Sequence, residues 1–271
     1  MPETAPIYTA ANCHGSYRLL WTVSVFWRSA FPRAVWQAGF IPLLASHGLR
    51  VWSHRLVSDH ASQFLVSTMP PVSPAGIVRL LKGRLYHLMH EKPLAPELRR
   101  NYFISSVGRR SRSVIERYVK SQLDHHRMAD PRVQESLAKF QLANPAVDLS
   151  QWQASAHGRY VHDLHLVLVH DARWMDVSEG NLARRNDMIL AAAQKKGHAI
   201  SAIGVFADHV HITLGCGVTE SPEEVALSYL NNLAYVEGMR PIYRPGYYVG
   251  TFGEYDLNAI RLKLREEGAE Q

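Results

Sequence analysis

The chain has 271 residues, of which 46% are hydrophobic and 20% charged, a balance that excludes a disordered or collagen-like protein. Its longest apolar runs, such as Leu164–Val169, are far too short to span a bilayer, and Cys13 and Cys216 alone give neither a disulfide framework nor a cysteine-rich zinc site. The net charge of +6 is unevenly divided, with 17 Lys and Arg against 7 Asp and Glu in residues 1–130 and 13 against 17 in residues 131–271, so a polyanion read mainly by the first half is the expected partner.

The N-terminus shows no basic region followed by an apolar core, so no signal peptide is expected. A reducing, cytoplasmic and nucleoid-associated setting fits. Along the chain, Tyr17–Phe26 alternates like a strand and a helical stretch follows near Ala34–His47. Gly48 opens a strand that leads to Asp59-His60, and Ser73-Pro74 reads as a helix start, with Ser as cap and Pro in the first turn. That helix carries Lys82-Gly83-Arg84. Asn101 to Gly108 reads as a strand, and Val114 to Gln122 as a helix after Ser113. The polar stretch 129–157 reads as a connector with some helix near Arg132–Leu142.

The same order then returns. Tyr160–Val169 alternates again, Leu182–Lys196 is helical, and Gly197 opens a strand leading to Asp208-His209-Val210-His211. Ser221-Pro222 starts a helix, and Tyr247-Tyr248-Val249 to Gly253 repeats Tyr102-Phe103-Ile104 to Gly108. Gly48 pairs with Gly197, Asp59 with Asp208 and His60 with His209 at a constant spacing. A repeat of this length predicts two homologous α+β domains, 1–128 and 158–271, joined by a linker, 129–157: a covalent pseudo-dimer.

Three features carry chemistry. Alternate strand residues share a face, so His209 and His211 present two imidazoles together. This suits a divalent metal and reads equally as a His-x-His pair on a strand surface. The matching place in the first half is read as His60-Ala61-Ser62, a degenerate site with one imidazole lost. Tyr118 and Gln122, four apart, share a helix face. They offer a phenol nucleophile and an amide oxygen ligand, or a core aromatic on an amphipathic helix. Lys82, Arg84, Arg79, Arg109, Arg110 and Arg112 are basic residues placed to contact phosphates.

Together these pieces resemble the single-tyrosine transposases of the HUH endonuclease superfamily, insertion sequence 200/605 type. The motifs are Asp208-His209-Val210-His211, Ser73-Pro74 to Lys82-Gly83-Arg84, Asn101-Tyr102-Phe103-Ile104-Ser105-Ser106-Val107-Gly108, and Val114 to Gln122. The resemblance implies ferredoxin-like domains acting on single-stranded DNA that carries a hairpin, with Mg2+ or Mn2+ bound. It implies Tyr118 as nucleophile, forming a 5′-phosphotyrosine and a 3′-OH, and His209, His211 and Gln122 as metal ligands. Ser62 stands where the first half would need a second His. Counting from Gly253 as Tyr118 counts from Gly108, the second half offers Lys263 for the tyrosine and Glu267 for the glutamine. Tyr255 is a tyrosine out of register. Each half is broken where the other is intact, so one composite active site per chain is expected. A hairpin-binding protein that no longer cleaves is the alternative. An unrelated metal hydrolase with Asp208 or Glu254 as base would leave the repeat unexplained.

Overall fold

A computed structural model describes residues 5–30, 48–90, 97–125 and 128–254. The helix expected near Ala34–His47, and the positions Tyr255, Lys263 and Glu267, lie outside the described residues. Among these residues the fold is α+β, with two six-stranded mixed sheets and five α-helices. No described helix is long and apolar enough to cross a membrane.

The strands are β1 His14–Arg18, β2 Leu20–Trp27, β3 Leu49–Ser58, β4 Ala61–Thr68 and β5 Leu98–Val107 in the first half. Then come β6 Gln141–Ala143, β7 Gln153–Ser155, β8 Gly158–Val161, β9 Asp163–Val169, β10 Ala199–Val205, β11 His209–Gly215 and β12 Gly246–Thr251. The helices are α1 Pro74–His90, α2 Arg112–His125, α3 Pro131–Ala138, α4 Glu179–Lys196 and α5 Pro222–Val236. One sheet runs β3-β4-β2-β5-β8-β7 and the other β10-β11-β9-β12-β1, with β6 beyond β10. Five strands therefore occur in the same spatial order in both sheets, with the same parallel pair at β5–β8 and at β12–β1.

The strands form where alternation predicts them. In β2, Trp21, Val23, Val25 and Trp27 point inward with Phe64, Val66 and Ile104 and pack on Ile77, Leu81 and Leu85 of α1. In β9 and β11, Leu164, Leu166, Leu168, Val210, Ile212 and Leu214 pack under α4 and α5. Both Ser-Pro sites start helices. The Ser73 hydroxyl accepts from Gly76 N at 3.2 Å, and Ser221 forms a capping box with Glu224, each such cap contributing about 1 kcal/mol.

The 129–157 stretch is woven into both sheets. It contains α3, adds β6 to the second sheet and adds β7 to the first. The strand β1 also leaves the first half to join the second sheet, and β8 leaves the second half to join the first. The two crossings are tied alike. Thr251 Oγ1 accepts from Leu20 N at 2.8 Å, and Ser106 Oγ accepts from Asp163 N at 3.0 Å. Between them the ends of β5 and β12 touch backbone to backbone. A Cβ on Gly108 would lie 2.8 Å from Thr251 O, and one on Gly253 would overlap Ser106 O. This contact explains the two matched glycines. Gly253→Ala is expected to destabilise by about 3 kcal/mol, a drop of roughly 10 °C in Tm. Gly83→Ala, with nothing within 4 Å of its Cβ, should leave Tm unchanged or higher in the same thermal scan.

His162, where the chain crosses from β8 to β9, packs on Trp21 at 5.2 Å between ring centroids. Burial lowers its pKa to about 4. A folded-state pKa below the unfolded value of about 6.5 means that the unfolded chain takes up the proton first as pH falls. Stability is therefore complete above pH 6.5 and is lost progressively between 6.5 and 4, by about 3 kcal/mol for this residue. Denaturant unfolding as a function of pH should show this slope, and His162→Asn should flatten it.

Candidate active site

On β11, Val210 points into the core under α4 and α5, so His209 and His211 share the opposite face. Both are buried. Each is fixed through Nδ1. Asp208 Oδ1 lies 2.5 Å from His209 Nδ1, and His165 Nε2 lies 2.9 Å from His211 Nδ1. Arg173 holds the other Asp208 oxygen at 2.8 Å. Burial would raise the Asp208 carboxyl, but the bonds from His209 and Arg173 outweigh it and hold it below the usual carboxylate range. Burial lowers the His165 pKa to about 4, so this ring is neutral at physiological pH. Phe206 stacks on His209 with centroids 4.7 Å apart. These Nδ1 contacts fix the orientation of each ring, as outer partners do for ligating imidazoles.

The helix that covers this face comes from the first half. α2 lies over β10 and β11. The Tyr118 ring meets His211 edge-on at 5.9 Å between centroids and His165 at 6.3 Å. Tyr118 is 44% exposed, which leaves it reachable by a large substrate. One turn on, Gln122 is buried, and among the described residues its Nε2 has no hydrogen-bond partner. An unpartnered buried NH2 donor costs about 1–3 kcal/mol, which a hydrogen-bond acceptor at this place would relieve. Among the described residues no group of three His, Cys, Asp or Glu side chains is arranged around a metal position. The donor types on these two elements that suit one are the imidazoles of His209 and His211 on β11 and the amide oxygen of Gln122 on α2.

The first sheet departs from the expected register. Val23 pairs with Phe64 and Ile104, as Leu166 pairs with Ile212 and Val249. Ala61 and Gln63 therefore occupy the places of His209 and His211. Asp59 and His60 form the exposed turn between β3 and β4. Ser62 faces the core, where Trp27 Nε1 donates to its hydroxyl at 2.9 Å. The residues His60 and Ser62 thus do not form the remnant site; Gln63 stands there.

The six basic residues divide. Arg79, Arg109 and Arg110 are exposed. Arg109 lines a groove with Tyr17, Arg18 and Arg50. Arg84 is half-buried on α1. Lys82 is partly exposed, its Nζ donating to the carbonyls of Arg99 and Arg100 at 2.6 and 2.7 Å. Arg112 is bound to Asp163 at 2.5 Å, with side-chain exposures of 12% and 3%. Burial raises the Asp163 carboxyl and Arg112 opposes the rise. Lys82 and Arg112 therefore hold the fold, where phosphate contacts were expected. The residues not foreseen are His165, Phe206 and Tyr248, which meets His165 at 5.9 Å. A polar His inside the Leu164–Val169 run was the available signal.

No family model and no curated protein matches the chain. Among the solved structures similar to part of it are two transposase-type proteins. One is a REP-associated tyrosine transposase bound to a REP hairpin, at 11% identity and a TM-score of 0.31. That match covers 38% of this chain and 61% of the other. The second is a transposase-type protein of Deinococcus radiodurans R1, at 21% identity and a TM-score of 0.27, covering 38% of this chain and 88% of that one. At these scores the arrangement of Tyr118, Gln122, His209 and His211 has to carry the functional argument.

Proposed function

We propose that the protein is a transposase-type enzyme that cleaves and rejoins single-stranded DNA at one composite site per chain. The observation that carries this reading is Tyr118, from the first half, edge-on against His211 of the second. In the reaction, the Tyr118 oxygen attacks the scissile phosphate and the bond from phosphorus to the 3′ oxygen breaks. The phenol gives up its proton and the departing oxygen gains one, leaving a 5′-phosphotyrosine and a 3′-OH. Reversal by a 3′-OH reseals the strand, so one phosphoester replaces another with no energy input.

His209, His211 and Gln122 would hold Mg2+ or Mn2+. Bound there, the ion would supply Lewis-acid stabilisation of the charge on the phosphate. Asp208 and His165 keep the two imidazoles in one tautomer and orientation. Arg18, Arg50 and Arg109 line a groove suited to the backbone of the strand. That the strand bears a hairpin follows from the motif resemblance. The repeated motifs and matching strand orders support a duplication fused into a pseudo-dimer. With a single site, the chain would cut one strand at a time.

The test is incubation of 3′-end-labelled hairpin-bearing strands with the full chain and Mn2+, followed by denaturing electrophoresis. A protein-linked label supports the reading. Hairpin binding without any linked label would instead identify a binding protein.

A further inference from the structure

The face of the first sheet that corresponds to the His209–His211 face opens into a cavity of about 550 Å3, within the range of small-ligand clefts, about 300–1,000 Å3. Its floor includes Ser24, Gln63 and Ser105, neutral groups that donate and accept. Phe103 and Trp152 line it as well. They are 41% and 48% exposed, with ring centroids 5.8 Å apart. Arg112 also lines it. Its Nη2 is held by Asp163 and Leu149 O, while its Nε is buried and, among the described residues, without a partner.

This composition suits recognition and lacks the means for chemistry. The paired imidazoles of the other face are replaced by Ala61 and Gln63. The lining carries Arg55, Arg112 and Glu254, and Arg112 is paired outside it with Asp163, so the cavity keeps little unmatched positive charge to hold a phosphate. Exposed aromatic planes favour a flat π-system. A carboxamide and hydroxyls match the mixed donor and acceptor edge of a base. In a duplex that edge is paired and the faces are stacked, so only an unpaired base can enter.

We propose that this cavity binds one unpaired nucleobase of single-stranded DNA, so that the face which lost its metal ligands serves as a base-reading site. The proposal rests on the single-strand reading above, and its test is free of cleavage chemistry. The full chain carrying Tyr118→Phe is mixed, without divalent metal, with a 15-nucleotide strand of 5-iododeoxyuridine and irradiated. Crosslinks are mapped by mass spectrometry. Affinity for a 15-nucleotide thymidine strand is measured in parallel.

The expected result is a crosslink on Trp152 or Phe103. Truncating both rings to Ala should weaken binding at least about tenfold, the scale of a stacked base. Tyr235→Ala, another exposed aromatic (63% exposed), should leave binding unchanged. Either the absence of crosslinks at both rings or an unchanged affinity in the double variant would overturn the proposal. Adduct formation by the protein with Tyr118 intact is scored separately, so failure of the catalytic reading is distinguishable from failure of this one.

Discussion

Tyr118→Phe is expected to abolish the covalent protein–DNA adduct, with at least about a 10³-fold loss of strand cleavage, the scale of removing a nucleophile. The substitution removes one oxygen from a ring that is 44% exposed, so the fold and the edge-on contact with His211 should survive. Circular dichroism and DNA affinity should match the unaltered protein. Peptide mapping of the adduct in the unaltered protein should place the nucleotide on Tyr118. An adduct that persists in the variant would assign the chemistry to another residue.

His209→Ala and His211→Ala are each expected to lower cleavage by at least about 100-fold, because in the proposed site each would be a metal ligand and not only an outer partner. Excess Mn2+ should restore activity partially if weakened metal binding is the cause. His165→Ala should cost about 10–100-fold, the range for residues that orient a ligand. At saturating DNA, Gln63→Ala, on the corresponding face of the first sheet, should leave the cleavage rate within about twofold, its effect falling on DNA affinity. Ser62→His should destabilise by about 3 kcal/mol, because Ser62 is fully buried against Trp27. Cleavage kinetics under Mn2+ titration and thermal unfolding separate these outcomes. A Gln63→Ala variant as damaged as His211→Ala would contradict the assignment of the two faces.

Much of the architecture was legible in the sequence because it is written in periodicity. Inward residues of β2 and β9 alternate, both Ser-Pro pairs start helices, and the matched Gly108 and Gly253 mark one close backbone contact. The register of β4 was misread for a physical reason. Asp59-His60 resembles Asp208-His209 in letters, yet it forms a tight turn between Ser58 and Ala61, whereas Asp208 precedes the strand and braces His209. With side chains alternating, a slip of one residue exchanges the two faces of a strand. The fates of Lys82 and Arg112 were illegible because their partners, the carbonyls of Arg99 and Arg100 and the carboxylate of Asp163, are remote in sequence. The proposed composite site is read from complementary losses in the two halves. No local pattern announces that α2 leaves its own sheet to cover the other. Nor does any local pattern assign His165 to the back of His211.

The central claim is that Tyr118 acts on the His209–His211 pair of its own chain. The most direct measurement mixes equal amounts of the Tyr118→Phe and His211→Ala proteins with labelled DNA and Mn2+. The account predicts no adduct, because neither chain holds a whole site. Adduct formation well above that of either variant alone, up to about a quarter of the unaltered protein's for random pairing, would show that the tyrosine of one chain serves the histidines of another, and would contradict it.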